Sequence, residues 1–203
     1  MNELTGSLVD SRLSHLERKL AKGNVTQNEI MHFLVTHYYD PIYRLAMSFV
    51  HQKDESADIA QKTLIKAANK IDQYRPGTNF KAWVFRIGIN EAKNTLRRRK
   101  LQDKLKSILT LSFYATPQPL APEAQVLRNE RDQLLWEAVS QLPEKQMLPV
   151  LLRYNFDLTD LEIAEALEIP HGTVRSRLHS AHKKLYGLLN QSRCTGSTEV
   201  KKQ

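Results

Sequence analysis

From Ile30 onward the apolar residues recur at intervals of three and four: Ile30, Phe33, Leu34, Tyr38, Ile42, Leu45, Ala46 and Phe49. That spacing is the buried stripe of an amphipathic helix. Asp40-Pro41 falls inside the run and leaves two outcomes open, a second helix with Pro41 at its first position or one long helix kinked there. The next helix is expected from about Asp54, whose carboxylate suits a helix N-terminus, and carries Ile59, Leu64, Ala67, Ala68 and Ile71. It should stop before Arg75-Pro76-Gly77. Phe80, Trp83, Val84, Ile87 and Leu96 then mark a further helix that runs into the basic block Arg97-Arg98-Arg99-Lys100. With no alternating, strand-like segment, residues 27–100 are expected to form one compact domain of four helices.

Ahead of this domain, Leu13, Leu16 and Leu20 give a weak amphipathic helix over residues 11–22 that ends at Lys22-Gly23-Asn24, so residues 1–26 read as an N-terminal extension. Behind it, Pro117, Pro119 and Pro122, with Ser107, Ser112 and Thr116 nearby, break helical periodicity. Residues 101–124 are therefore expected to be a linker, with Ile108, Leu109, Leu111 and Phe113 as residues that could dock it. Val126, Leu127, Leu134, Leu135, Val139 and Leu142 open a second domain over 125–190, in which Pro143 starts the next helix. Residues 191–203 read as a disordered tail. The fold class is all-α: two small helical domains joined by a proline-containing linker.

The most specific local pattern lies in the second domain. Thr159-Asp160-Leu161-Glu162 fits a capping box, in which the threonine hydroxyl and the glutamate carboxylate each satisfy an otherwise orphaned backbone amide. A short helix over Asp160 to Leu167 follows. Ile163, Leu167, Ile169, Val174 and Leu178 have the spacing that packs two helices across a tight connection, for which Pro170 and Gly172 are the expected turn residues. Pro149 is expected to kink the preceding helix.

Charge sharpens this picture. The chain of 203 residues carries 30 Lys and Arg against 22 Asp and Glu, a formal charge of +8 that suits a polyanionic partner. From Glu123 to Glu168 there are ten acidic and four basic residues, whereas His171 to Arg193 holds five basic residues and no acidic one. Basic character is thus sorted onto the last helix. With Val174 and Leu178 facing inward, Arg175, Ser176, His179 and Lys183 project from its other sides, with Arg177 at the flank. A guanidinium can grip guanine with two hydrogen bonds in the major groove, and Ser or Lys can reach bases or phosphates. The plain alternative is a solvated basic helix face.

Two stretches carry a family resemblance. Pro170-His171-Gly172-Thr173-Val174-Arg175-Ser176-Arg177-Leu178, downstream of Leu142-Pro143-Glu144-Lys145-Gln146 and Leu158-Thr159, resembles region 4 of bacterial RNA polymerase sigma factors. Asp58-Ile59-Ala60-Gln61-Lys62-Thr63-Leu64-Ile65-Lys66-Ala67 resembles region 2.2. The run from Phe80 to Asn94, followed by the arginines, resembles regions 2.3 and 2.4. They occur in the family's order over about residues 27–190, as in the small two-domain, extracytoplasmic-function (ECF) type.

The resemblance implies a factor that binds core RNA polymerase and directs promoter-specific initiation, with no catalytic residue of its own. By resemblance, the helix bearing Asp58, Gln61 and Lys62 docks on the polymerase, with Lys62 standing where relatives often carry an acid. The loop from Tyr74 to Asn79 and the start of the next helix would capture an unstacked base of the minus-10 element. Trp83 belongs either to that site or to the core. Asn90 and Asn94 would make polar contacts, while Lys93, Arg97, Arg98 and Arg99 would hold phosphates. Thr173, Arg175, Ser176, Arg177, His179 and Lys183 would face the minus-35 duplex. Asp157 stands where relatives commonly have Gly, a swap Asp tolerates in a left-handed turn. An anti-sigma factor is the further partner implied. The rival readings are a stand-alone helix-turn-helix regulator and a sigma-like protein that sequesters polymerase or a regulator.

Other chemistry is poorly supported. The single cysteine, Cys194, has no internal disulfide partner, which fits a reducing, cytoplasmic setting. No run approaches the roughly 18 apolar residues of a membrane span, so neither secretion nor insertion is expected. His179, His182 and Cys194 lack the ligand set of a zinc site, and neither a phosphate-cradling glycine loop nor a nucleophile elbow occurs. No metal, cofactor, small-molecule substrate or enzyme activity is expected.

Overall fold

The computed structural model of the chain describes residues 25–75, 77–109, 135 and 137–196, with side chains to 104 in the first stretch past 77 and to 190 in the last. The helix expected over 11–22, the proline-rich stretch and the segment from Val126 to Leu134 lie outside the described residues. The chain divides into two compact units, residues 1–124 and 125–203.

In the first unit, α1 (Gln27–Val50), α2 (Lys53–Asn69) and α3 (Phe80–Leu109) pack on one another, with a short 3-10 turn at Ile71–Gln73. Thr26 starts α1 with a full capping box: its hydroxyl accepts from the Glu29 amide, and the Glu29 carboxylate accepts from the Thr26 amide at 2.9 Å. The helix passes through Pro41 and ends at His51, which takes the left-handed conformation at φ 55°. Residues 27–100 therefore hold three long helices, not four. The apolar stripe on both sides of Pro41 faces one core, with Leu34, Ile42 and Leu45 fully buried, so an unbroken helix satisfies the whole pattern. Among the described residues of this unit the buried serine and threonine hydroxyls need no external partner: Ser48, Ser56 and Thr63 each donate back to a carbonyl three or four residues earlier.

Leu101 to Leu109, expected to belong to the linker, continue α3. Gln, Lys and Leu there are good helix formers, and no proline intervenes before Pro117. Gly88, buried in the middle of α3, explains how closely the helices cross: a Cβ there would meet Ile42 Cδ1 at 3.1 Å and Thr63 Cγ2 at 3.5 Å.

In the second unit, α4 (Glu144–Tyr154), α5 (Asp160–Leu167) and α6 (His171–Gly196) pack together behind helical residues 137–140. Leu148, Leu151, Leu152, Leu158, Ile163, Val174 and Ala181 form the core. Helix α4 runs through Pro149, which is itself buried. The capping box at Thr159 forms as expected, with the Glu162 amide donating to the Thr159 hydroxyl at 3.3 Å and the Thr159 amide donating to the Glu162 carboxylate. Asp157 takes φ 52°, the left-handed conformation expected of it.

The connection between α5 and α6 differs from expectation in its turn residue. Glu168, at φ 53°, makes the left-handed turn, and the Ile169 amide closes it onto the Ala164 carbonyl at 3.0 Å. Gly172 lies within the first turn of α6 with open space beyond its Cβ position, so it does not set the turn. Helix α6 also continues to Gly196, past the boundary expected at residue 190. Among the described residues no helix is long and apolar enough to cross a membrane.

Candidate nucleic-acid and polymerase interfaces

The first unit brings the residues of its expected site together only in part. Phe80, fully buried at the N-terminus of α3, is the hub of an aromatic cluster. Phe33, Tyr38, Tyr74 and Trp83 surround it at centroid distances of 5.9, 5.6, 4.9 and 5.5 Å. Tyr74 and Trp83 are 5% and 6% exposed, so neither ring offers a free face to a base in this conformation. The Tyr74 hydroxyl donates to the Thr78 carbonyl at 2.7 Å, tying the following loop to the cluster. In that loop Gly77, at φ 89°, supplies the positive φ that a tight turn demands, and the Thr78 amide closes it on the Arg75 carbonyl at 3.1 Å.

Asn79 is the N-cap of α3. Its Oδ1 accepts from the Ala82 amide at 2.7 Å, and its carbonyl accepts from the Trp83 amide at 3.0 Å. These contacts give it a structural role at the end of the loop.

Further along α3, Asn90, Asn94 and Arg97 are exposed at intervals of four and three, one stripe on one face, with half-buried Lys93 beside it. The arginine run does not act as one block. A helix advances about 100° per residue, so Arg97 extends the Asn90 stripe while Arg98 and Arg99 turn toward α2. There they line a cleft of about 520 Å3 together with Glu55, Asp58, Lys62 and Asp103. Arg99 Nη1 lies 3.8 Å from Glu55 Oε2. That oxygen is buried and receives no hydrogen bond, so the contact is purely ionic. Asp58 and Lys62, both well exposed, pair at 3.1 Å one turn apart on α2, and Gln61 is exposed beside them. Lys66 pairs with Glu91 across α2 and α3.

In the second unit the residues expected on the recognition helix lie on α6 outside its buried stripe. Val174, Leu178, Ala181 and Leu185 form the buried stripe of α6. Arg175, Ser176, His179 and Lys183 are exposed, while Thr173 and Arg177 are half-buried. The Ser176 hydroxyl donates to the Thr173 carbonyl at 3.0 Å. Two features escaped the sequence reading. Asp160 lies 3.7 Å from Arg153 on α4 and 3.7 Å from Arg175 on α6. The Tyr154 hydroxyl meets His182 Nε2 at 2.9 Å on the outside of the unit. Both join residues from different helices whose spacing no single-helix periodicity exposes.

Among the described residues no group of three or more His, Cys, Asp or Glu side chains could hold a metal ion.

Comparison with known proteins assigns both units. The family model for sigma-70 region 2 matches residues 34–102, and that for sigma-70 region 4 matches residues 132–185. The chain is 34% identical over 158 residues to the RNA polymerase sigma-H factor of Pseudomonas aeruginosa, covering 75% of this chain and 82% of that protein. It is 30% identical over 158 residues to the ECF RNA polymerase sigma factor SigW of Bacillus subtilis, covering 75% and 84%. Among solved structures, the sigma factor RpoE of Bartonella quintana, crystallised with the anti-sigma factor NepR, matches with a TM-score of 0.60 at 25% identity over 77% of this chain and 94% of that one. Two helical units, each with the fold and sequence of one sigma region and in the family's order, leave one assignment: the chain belongs to the sigma-70 family of RNA polymerase sigma factors, in its extracytoplasmic-function group.

Proposed function

We propose that this protein, acting as a sigma factor for promoter-directed transcription, docks on core polymerase through α2 and engages the promoter with each unit in turn. The observation that carries this reading is the sorting of surface chemistry by element. Helix α2 presents Asp58, Gln61 and Lys62, α3 presents Asn90, Lys93, Asn94 and Arg97, and α6 presents Arg175, Ser176, His179 and Lys183.

Opening a duplex costs about 1.4 kcal/mol per base step on average, so an unstacked base must find another partner. The exposed loop between Tyr74 and Asn79, pinned at both ends by the hydrogen bonds of those residues, is the candidate pocket for it. Tyr74 and Trp83 build the wall behind the loop from within the core. The polar stripe of α3 then holds the displaced strand, with Arg97 and Lys93 as its cations, while Arg98 stands at the cleft with α2. On α6, Arg175 and its neighbours read the upstream duplex, and Arg177 and Thr173 flank them. The protein works in the cytoplasm without catalytic groups or a cofactor of its own. An anti-sigma factor restrains it, as NepR accompanies the Bartonella RpoE.

Run-off transcription with purified core polymerase tests this. Added protein should give initiation at a defined set of genomic start sites, with shared sequences upstream, and Asp58→Ala should weaken its retention by immobilised core. Inhibition without initiation would mean a sequestering protein, and duplex binding without association with core would mean a stand-alone regulator.

A further inference from the structure

Asp160, the first residue of α5 after its N-cap, stands between two cations of different helices. One carboxylate oxygen lies 3.7 Å from Arg153 Nη1, and the other lies 3.7 Å from Arg175 Nε. Arg153 is anchored in turn, donating from Nη1 to the Leu158 carbonyl at 3.2 Å. The Asp160 side chain is 26% exposed and that of Arg175 is 70% exposed, so a carboxylate set in the frame of the unit faces an arginine that reaches into solvent.

The geometry has a chemical consequence. Asp160 meets the inner nitrogen of the guanidinium, which leaves Nη1 and Nη2, the fork that matches guanine O6 and N7, for a partner outside the protein. An arginine free to swing loses rotamer entropy on binding and can settle on the nearest phosphate, which carries no sequence information. A neighbouring carboxylate opposes both: it narrows the directions open to the side chain and repels phosphate oxygens.

We propose that Asp160 is a positioning residue for base reading, aiming Arg175 at one base pair of the upstream element and keeping it off the backbone. The inference rests on the reading of α6 as the duplex-reading helix. It adds a specificity determinant outside that helix, on the element before it.

The test uses holoenzyme assembled from the full-length chain and core polymerase, selecting from a pool of promoter duplexes randomised upstream. Wild type, Arg175→Ala, Asp160→Asn and the double variant are compared. Arg175→Ala should abolish the base preference at one position. Asp160→Asn should weaken the preference at that same position by about three- to tenfold, a fraction of what a bidentate contact supplies, and leave other positions unchanged. The double variant should match Arg175→Ala, and binding of Asp160→Asn to unrelated duplex should fall off more steeply with salt as Arg175 moves to a phosphate. Retention of the wild-type preference by Asp160→Asn, or an effect that adds to that of Arg175→Ala, would overturn the positioning role alone. Full retention by Arg175→Ala would overturn the assignment of α6 itself, and the proposal with it. A merely structural Asp160 would lower the melting temperature and weaken all positions together. If Asp160→Asn unfolds the unit, Asp160→Ser, also suited to the first turn of a helix, carries the same comparison.

Discussion

Replacing Tyr74 by Phe separates two roles that the sequence alone leaves merged. The ring of Tyr74 stands edge-on to Phe80 at 89° and 4.9 Å and tilts against Trp83 at 5.5 Å, while its hydroxyl donates to the Thr78 carbonyl at 2.7 Å. Phenylalanine keeps the ring and its contacts, each pair contributing about 0.5–1.5 kcal/mol beyond burial, and removes the hydroxyl that ties the loop. A typical hydrogen bond contributes about 0.5–1.5 kcal/mol net. Thr78 is exposed, so water can take over its carbonyl, and the cost belongs at the low end of that range. Alanine would be uninformative, because emptying a buried aromatic site costs about 3–5 kcal/mol and threatens the whole unit. Guanidinium denaturation should therefore show Tyr74→Phe slightly less stable, read from Trp83 emission in a Trp136→Phe background so that the first unit reports alone. If the hydroxyl pins the base-capturing loop, permanganate reactivity of the opened promoter should fall by about twofold or somewhat more. If instead Tyr74 must leave the cluster to stack on a base, losing the tie lowers the cost of leaving, and opening should be unchanged or increased. Equal or greater reactivity at reduced stability would refute the pinning argument.

Other perturbations follow from contacts already described. Thr159→Ala removes the hydroxyl arm of the α5 capping box and should destabilise the second unit by about 0.5–2 kcal/mol, seen as a lower denaturation midpoint, with the first unit unaffected. Glu55→Gln frees Arg99 from its ionic partner, so affinity for non-specific duplex should rise and the log–log salt dependence should steepen by about 0.9 for one added phosphate contact; an unchanged slope would reject a phosphate role for Arg99. Burial lowers the pKa of His51 below its ordinary value of 6.5. As pH falls through that value the unfolded chain takes up the proton first, so this part of the stability is complete above about pH 6.5 and lost below it. His51→Asn, which also tolerates the left-handed conformation at this position, should reduce the loss of stability between pH 7.5 and pH 5.5.

How far the sequence disclosed all this depends on whether a feature lies within one helix or between helices. The capping boxes at Thr26 and Thr159 are local hydrogen-bond patterns of four residues; the one at Thr159 was legible and forms as read. The buried stripe of α6 was equally legible, because periodicity alone puts Val174 and Leu178 on one face. Pro41 was undecidable locally: its neighbours suit either a new helix or a continuous one, and only the shared core on both sides of it favours continuity. Asn79 and Tyr74 have a structural role that was hidden for the opposite reason. Their family positions suggest contact with DNA, while Asn79 Oδ1 and the Tyr74 hydroxyl also bond the Ala82 amide and the Thr78 carbonyl, partners that a motif does not name.

The arginine run after Asn94 shows why the distinction matters for function. As a string, Arg97-Arg98-Arg99 is a single patch of charge, and a phosphate grip is its natural reading. Wound into α3, the same residues divide between two surfaces. Arg97 continues the polar stripe of Asn90 and Asn94, whereas Arg98 and Arg99 enter the cleft shared with Glu55, Asp58 and Lys62 on α2. The α2 helix proposed to dock on polymerase and the α3 helix proposed to hold DNA thus share one set of charges. A polymerase group that engages Asp58 or Lys62 changes the field felt by Arg98 and Arg99, which line the same cleft. If α2 docks on core and α3 grips the promoter as proposed, the shared cleft couples the two electrostatically. A charge change on α2 should alter not only retention on core polymerase but also the salt dependence of promoter binding, an effect that separate docking and DNA-binding surfaces would not produce.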